Sequence, residues 1–159
     1  MVIDQDDVDT DVMYPGQFIG ILDDEEMAKH LFEGLDPTLR DQLVGDTILV
    51  AGFNFGTGSS RENVPAAMRA AGIRCVVAKS FARIFHRNCI NLGVPAIPCP
   101  EAVDAARPGS RIRIEIENGA IDVDGHVFRA TALPPFMVEL LNAGGLAPWI
   151  RSGHGREAG

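Results

Sequence analysis

The stretch Gly52-Phe53-Asn54-Phe55-Gly56-Thr57-Gly58-Ser59-Ser60-Arg61-Glu62-Asn63 gathers more chemically useful residues than any other part of the sequence. It follows an apolar run, Thr47 to Ala51, that reads as a buried strand, and precedes a helical pattern from about Val64 to Ala71. It is therefore a loop at the end of a strand, where α/β sheets place ligands. Gly56 and Gly58 let the main chain approach a ligand closely. Ser59, Ser60 and neighbouring N–H groups can donate to a carboxylate, and Arg61 adds a planar fork that grips one through two bonds. The chemistry of these residue types is the binding of a small carboxylate.

Other uses of the same residues narrow that reading. No Gly-Lys-Ser/Thr follows, so the stretch is not a phosphate-binding P-loop, and Arg61 falls where the dinucleotide fingerprint GxGxxG needs a third glycine. Ser59 and Glu62 match the S-x-x-E capping box, which would put both at a helix start with Arg61 as a solvated side chain. A helix beginning at Ser59 would already need a hydrogen bond from the residue at Pro65, which has no N–H. A start nearer Asn63 leaves both serines in the preceding loop.

The bulk properties set the frame. A chain of 159 residues with 46% hydrophobic residues can build one sizeable core. One domain is expected over 1–151, with a flexible tail over 152–159. With 14 Lys and Arg against 22 Asp and Glu, the net charge is −8 and no basic stripe offsets it, which disfavours nucleic acid and anionic membrane as partners. Cys75, Cys89 and Cys99 lie far apart without CxxC or Cys/His clustering, so they read as buried free thiols, and no metal site is expected in this chain. The acidic start MVIDQDDVDTD lacks the apolar run of a signal peptide and no segment is long enough for a membrane span, so a cytoplasmic location is expected.

Apolar spacing predicts the elements that must position the loop. Asp23 to Glu33 reads as a helix with an acidic opening, stopped by Gly34. After Thr47–Ala51 and the helix from Val64, a strand is expected over Cys75 to Ala78, a helix over Phe81 to Ile90 and a short strand over Val94 to Ile97. That order argues for parallel βαβ units. Arg111 to Ile116, Ala120 to Val123 and His126 to Ala130 alternate polar with apolar and are separated by Asn118-Gly119 and Asp124-Gly125, the signature of an antiparallel hairpin or meander. A last helix opens at Pro134-Pro135 and ends at Gly144-Gly145. The expected class is α/β, a small parallel sheet plus antiparallel strands. His86 reads as a structural or surface histidine, and Arg83 and Arg87, one helical turn apart, as solvated or structural.

Gly52 to Glu62 resembles the G-x-N-F-G-x-G-S-S-R-E signature of aconitase-type swivelling domains. The likeness extends through Asp7-Val8-Asp9-Thr10-Asp11 with Pro15-Gly16, through Ser80 to Phe85 with Asn88, and through Leu133-Pro134-Pro135-Phe136. Within that family the chain is most similar to small subunits of isopropylmalate isomerases. The resemblance implies a swivelling β/β/α domain and a hydro-lyase that dehydrates and rehydrates a hydroxy di- or tricarboxylate. It also implies a separate large subunit as partner, carrying a four-iron, four-sulfur cluster.

By the same resemblance, Ser59 acts as an alkoxide base, Ser60 and Arg61 bind a substrate carboxylate, and Thr10 and Asp11 belong to a second active-site segment. Asp11 would order hydroxyls or an arginine there, or else serve as a turn carboxylate. The loop Gln17-Phe18-Ile19-Gly20-Ile21 matches the segment associated with substrate choice, making Phe18, Ile19, Gly20 and Ile21 the specificity loop. The sequence departs from the family at Thr57, where cysteine is common, at Asn63, where histidine stands, and at Gly20, which replaces an arginine and opens space. Homoaconitase-type and dimethylmalate-dehydratase-type subunits therefore remain open, as does a non-catalytic carboxylate-binding module.

Overall fold

Strands covered on both faces are apolar throughout, whereas strands with one wet face alternate. This chain has both kinds, and they form two sheets. A computed structural model describes residues 1–153. The first sheet is parallel and four-stranded, in the order β1 (Val2–Ile3), β2 (Thr47–Ala51), β3 (Ile73–Ala78) and β4 (Ala96–Pro98). Its registers include Val50 opposite Val77, and Val2 opposite Val50. The second sheet is antiparallel and three-stranded: β5 (Ile112–Glu115), β6 (Ala120–Val123) and β7 (His126–Arg129). Asp124 and Gly125, with φ of 52° and 91°, make the two-residue turn that joins β6 to β7.

Alternation along β3 divides the interior. Val76 and Ala78 face a core shared with α2 (Asp24–Lys29), α3 (Asn63–Ala70) and α4 (Arg83–Asn91) through Met27, Met68 and Phe85. Cys75 and Val77 face the other way, onto Ile121 and Val123 of β6 and Ala102 of α5 (Pro100–Ala105). The layers are helices, parallel sheet and antiparallel sheet, as expected of a β/β/α domain. A smaller cluster ties Ile90 of α4 to Leu140 and Leu141 of α6 (Pro135–Asn142). Full burial of a side chain the size of Met68 or Phe85 stabilises by about 1.5–3 kcal/mol.

Several elements differ from the sequence expectation. β1 is two residues long, too short for any periodicity to show. The helix expected over Asp23 to Glu33 ends at Lys29, although Asp23 caps it by accepting from Glu26 N at 2.9 Å. Phe32, at φ 61°, turns the chain inward and its N–H donates to Met13 O at 2.6 Å. The apolar residues Leu31 and Phe32 therefore reach the core from a turn and not from a helix. The short helices α1 (Thr10–Met13), α5 and α7 (Leu146–Arg151) and the 3₁₀ turns over Gly16–Phe18 and Pro37–Gln42 were not signalled by spacing. α3 starts at Asn63, with Glu62 as a helical-geometry cap that makes no side-chain bond. The Ser59–Glu62 capping box does not form, so both serines lie in the loop.

Ser152 and Gly153, the first residues of the expected tail, close α7, and the remainder of that tail, 154–159, lies outside the described residues. Among the described residues no helix is long and apolar enough to cross a membrane.

Candidate active site

The carboxyl ends of β1, β2 and β3 release three segments side by side, and the loop after β2 runs between the other two. On one side Asp7 N donates to Phe53 O (2.9 Å), Gly56 N to Val8 O (3.0 Å) and Thr10 N to Thr57 O (2.8 Å). On the other, Phe55 N donates to Ser80 O and Ala82 N to Phe55 O, both at 3.0 Å. The loop thus prolongs the sheet irregularly, with the N–H groups of Phe53 to Gly56 satisfied by its neighbours. Such close passage is why two positions must be glycine. At Gly56 (φ 83°) a Cβ would run into the Phe85 ring, and at Gly58 (φ 91°) into the Asp9 carboxylate.

That same Asp9 starts α1 by accepting from Asp11 N at 2.6 Å, an N-cap that presents Thr10 and Asp11 to the loop. Buried Thr10 donates through Oγ1 to Ser59 O at 2.9 Å and lies 3.5 Å from Ser59 Oγ. Ser59 Oγ donates to Asp11 Oδ1 at 2.6 Å, a short hydrogen bond. The Arg61 fork divides: Nη2 sits 3.1 Å from the same Asp11 Oδ1, and Nη1 donates to Tyr14 O at 3.0 Å. Gly16 packs against this guanidinium, where an added Cβ would stand 3.4 Å from Nη2. Ser59 and Ser60 are exposed, while the Arg61 side chain is 19% exposed. The structure therefore brings together Ser59, Arg61, Thr10 and Asp11, with Ser60 at the rim. Asp11 is the point where hydroxyl and cation meet.

The loop over Phe18, Ile19, Gly20 and Ile21 borders this cluster. Tyr14 OH donates to Phe18 O at 3.1 Å, and the Phe18 ring stacks on His30 with centroids 3.8 Å apart. Asn63 Nδ2 donates to Ile19 O at 3.2 Å. Gly20 is exposed, and a Cβ there would meet nothing within 4 Å. Sequence reasoning missed Tyr14, whose carbonyl and hydroxyl serve both the arginine and the loop, and it missed Asp9. Asp9 was legible only by residue type, since Asp is favoured at helix starts while no apolar spacing marked the short helix after it. Nothing local marked Tyr14.

Residues set aside from the site stay outside it. His86 Nε2 lies 2.9 Å from Ala96 O, a link from α4 to β4, and Arg83 and Arg87 are exposed on α4. Cys75, Cys89 and Cys99 are free and buried. Burial pushes the Cys75 thiol from 9.0 up to about 12, and pushes Cys89 upward as well. Among the described residues no group of three or more His, Cys, Asp or Glu side chains could hold a metal ion.

Layer order, loop and serine–arginine cluster together define an aconitase-type domain, and the model of the aconitase C-terminal domain matches residues 40–102. The 3-isopropylmalate dehydratase small subunit 1 of Methanopyrus kandleri is 47% identical over 92% of this chain and 87% of its own length. The corresponding small subunit of Caldicellulosiruptor bescii is 45% identical over 92% of this chain and 89% of its own. The 2,3-dimethylmalate dehydratase small subunit of Eubacterium barkeri is 44% identical over 92% and 91%. The crystal structure of 3-isopropylmalate dehydratase from Methanocaldococcus jannaschii superposes with a TM-score of 0.87 at 35% identity, covering 95% of this chain and 90% of that one. The chain belongs to the family of 3-isopropylmalate dehydratase small subunits.

Proposed function

We propose that this chain is the small subunit of a two-subunit hydro-lyase that reversibly dehydrates a hydroxy di- or tricarboxylate of the 3-isopropylmalate kind. The observation that carries the reading is the 2.6 Å bond from Ser59 Oγ to an Asp11 carboxylate that Arg61 also contacts. A lone serine is far too weak an acid to supply a base. Here Asp11 stands ready to take the hydroxyl proton, and the Arg61 charge beside it favours the anion left on Oγ. Ser59 then removes a proton from the carbon next to a substrate carboxylate. Arg61, Ser60 and the loop N–H groups hold that carboxylate, and Thr10 fixes the Ser59 main chain.

The four-iron, four-sulfur cluster that the family implies does not fit the described residues of this chain. Its three cysteines are buried free thiols, and among the described residues no group of three or more His, Cys, Asp or Glu side chains offers a ligand set. The cluster belongs in this reading to the large subunit, and the site is complete only at the interface between the two. The setting for such an enzyme is the cytoplasm.

The Phe18–Ile21 loop is assigned to substrate choice. A second reading, a dimethylmalate-type dehydratase, draws support from the Eubacterium barkeri relative and from the open space at Gly20. Co-expression with the large subunit, followed by anaerobic assay against a panel of 2- and 3-hydroxy diacids, tests both. Turnover by the pair and none by either chain alone is expected, and the preferred diacid decides between the two. A correctly assembled, cluster-loaded pair that acts on no member of the panel would leave the chain a carboxylate-binding module.

A further inference from the structure

Asn63 opens α3 two residues after Arg61, so its side chain moves with the clamp and not with the loop it touches. Its amide reaches across 44 residues of sequence to Ile19 O. The near end of that loop is held three ways: by the Gly16 contact with the Arg61 guanidinium, by the Tyr14 hydroxyl on Phe18 O, and by the Phe18 ring on His30. Past Phe18 the support thins. Among the described residues, the Asn63 amide makes the one side-chain hydrogen bond to the stretch 19–22. That stretch carries Ile19 and Leu22, exposed at 43% and 90%, around a glycine with open space on its side-chain side.

We infer that Asn63 is a positioning residue for substrate choice: its amide sets how far the exposed apolar side chains of the loop stand from the Ser59–Arg61 turn. A cationic clamp beside a small apolar ledge suits an alkyl-substituted hydroxy diacid, with carboxylate on Arg61 and alkyl group toward Ile19. Shifting the ledge alters the apolar contact and leaves the proton-transfer groups in place, so binding of the alkyl group responds more than the chemical step. The inference rests on the hydro-lyase reading above.

The test compares kcat/KM of the two-subunit enzyme on two hydroxy diacids that differ only in their alkyl substituent. The ratio of the two values is independent of the fraction of active enzyme, so a mere loss of stability does not move it. Asn63→Ala should change this ratio about two- to tenfold, the worth of one partly exposed hydrogen bond, with KM moving more than kcat. Asn63→Asp, which has no donor, should follow the alanine variant, and Asn63→His, whose Nδ1–H has similar reach, should restore the original ratio. An unchanged ratio in Asn63→Ala would overturn the assignment. Hydrogen exchange on the full chain gives an arm that needs no turnover. The Ile19 and Ile21 amides, bonded to Gly16 O and Phe18 O, should exchange several-fold faster in Asn63→Ala and not in Asn63→His. Equal exchange rates would refute the tether even if no diacid were ever turned over.

Discussion

In the antiparallel meander, turns are closed by their own neighbours: Asp122 Oδ1 accepts from Gly125 N at 2.9 Å, and Asn118 Oδ1 from Ala120 N at 2.8 Å. At the end of β2 the partners come from far along the chain. Asn54 bonds Asp7, Ser59 bonds Asp11 and Arg61 bonds Tyr14, at separations of 47, 48 and 47 residues. One sheet carries locally determined turns over one half-wet face. The other carries a loop whose shape exists only once the N-terminal segment has docked beside it. The proposed chemistry uses the second, because a cluster of hydroxyl, carboxylate and guanidinium needs several backbones to hold it rigid.

A large effect should follow from cutting the cation out of that cluster. Arg61→Ala removes the carboxylate clamp, leaves Tyr14 O without its donor and leaves Asp11 with Ser59 Oγ but no cation. In the assembled enzyme kcat/KM should fall about a hundred- to a thousandfold, much of it through KM. Steady-state kinetics over the hydroxy diacid panel checks this, and a change below tenfold would place the substrate elsewhere.

Next comes a paired substitution that sets the two regions directly against each other. Gly56 and Gly125 both have positive φ, 83° and 91°, but a Cβ at Gly56 meets the Phe85 ring and one at Gly125 meets nothing within 4 Å. Gly125→Ala should cost about 1–2 kcal/mol from backbone conformation alone. Gly56→Ala should cost about 2–5 kcal/mol, because overpacking adds to the same term. Denaturant unfolding of both variants measures the gap, and equal costs would erase the distinction between the two regions.

This contrast also explains what the sequence disclosed. The meander was legible in full, since Arg111 to Ala130 carries its alternation and its Asn-Gly and Asp-Gly turns in consecutive residues. β2, β3 and the helices after them were legible from apolar runs. The motif Gly52 to Glu62 announced the loop, and Pro65 correctly argued that the serines precede the helix. What stayed hidden depended on distant partners. β1 is a strand only because β2 lies beside it, and Leu31 and Phe32 mimic a helical face while reaching the core from a turn. Tyr14 enters the site through its carbonyl, which no residue type reveals.

A smaller effect concerns the interior between the sheets and helices. Cys75 is held protonated by burial, its thiol raised from 9.0 to about 12. The unfolded chain loses that proton near pH 9 and the folded chain keeps it, so this contribution is complete below pH 9 and is lost as pH rises toward 12. Thermal melts should shift downward over that window, and native protein at pH 8.5 should resist alkylation at Cys75 until unfolded. Rapid native labelling would contradict the burial.

The smallest effect belongs to the wet face of the meander. Val127, 59% exposed and opposite Asp122 in the ladder, should accept lysine with a stability change within about 0.5 kcal/mol and no change in kcat/KM. A marked loss of activity on Val127→Lys would show that this face takes part in function after all.

The proposed role of Ser59, activated through Asp11 and Arg61, is to take a proton from carbon. It is tested most directly by following exchange of that substrate proton with deuterated solvent, in the assembled enzyme, for the native chain and for Ser59→Ala. Exchange is expected in the native enzyme, and its near-abolition in the variant. Turnover should fall about a hundredfold to ten-thousandfold while substrate affinity changes far less. Exchange and turnover in Ser59→Ala close to the native rates would contradict the assignment and move the base to another residue or to the partner subunit.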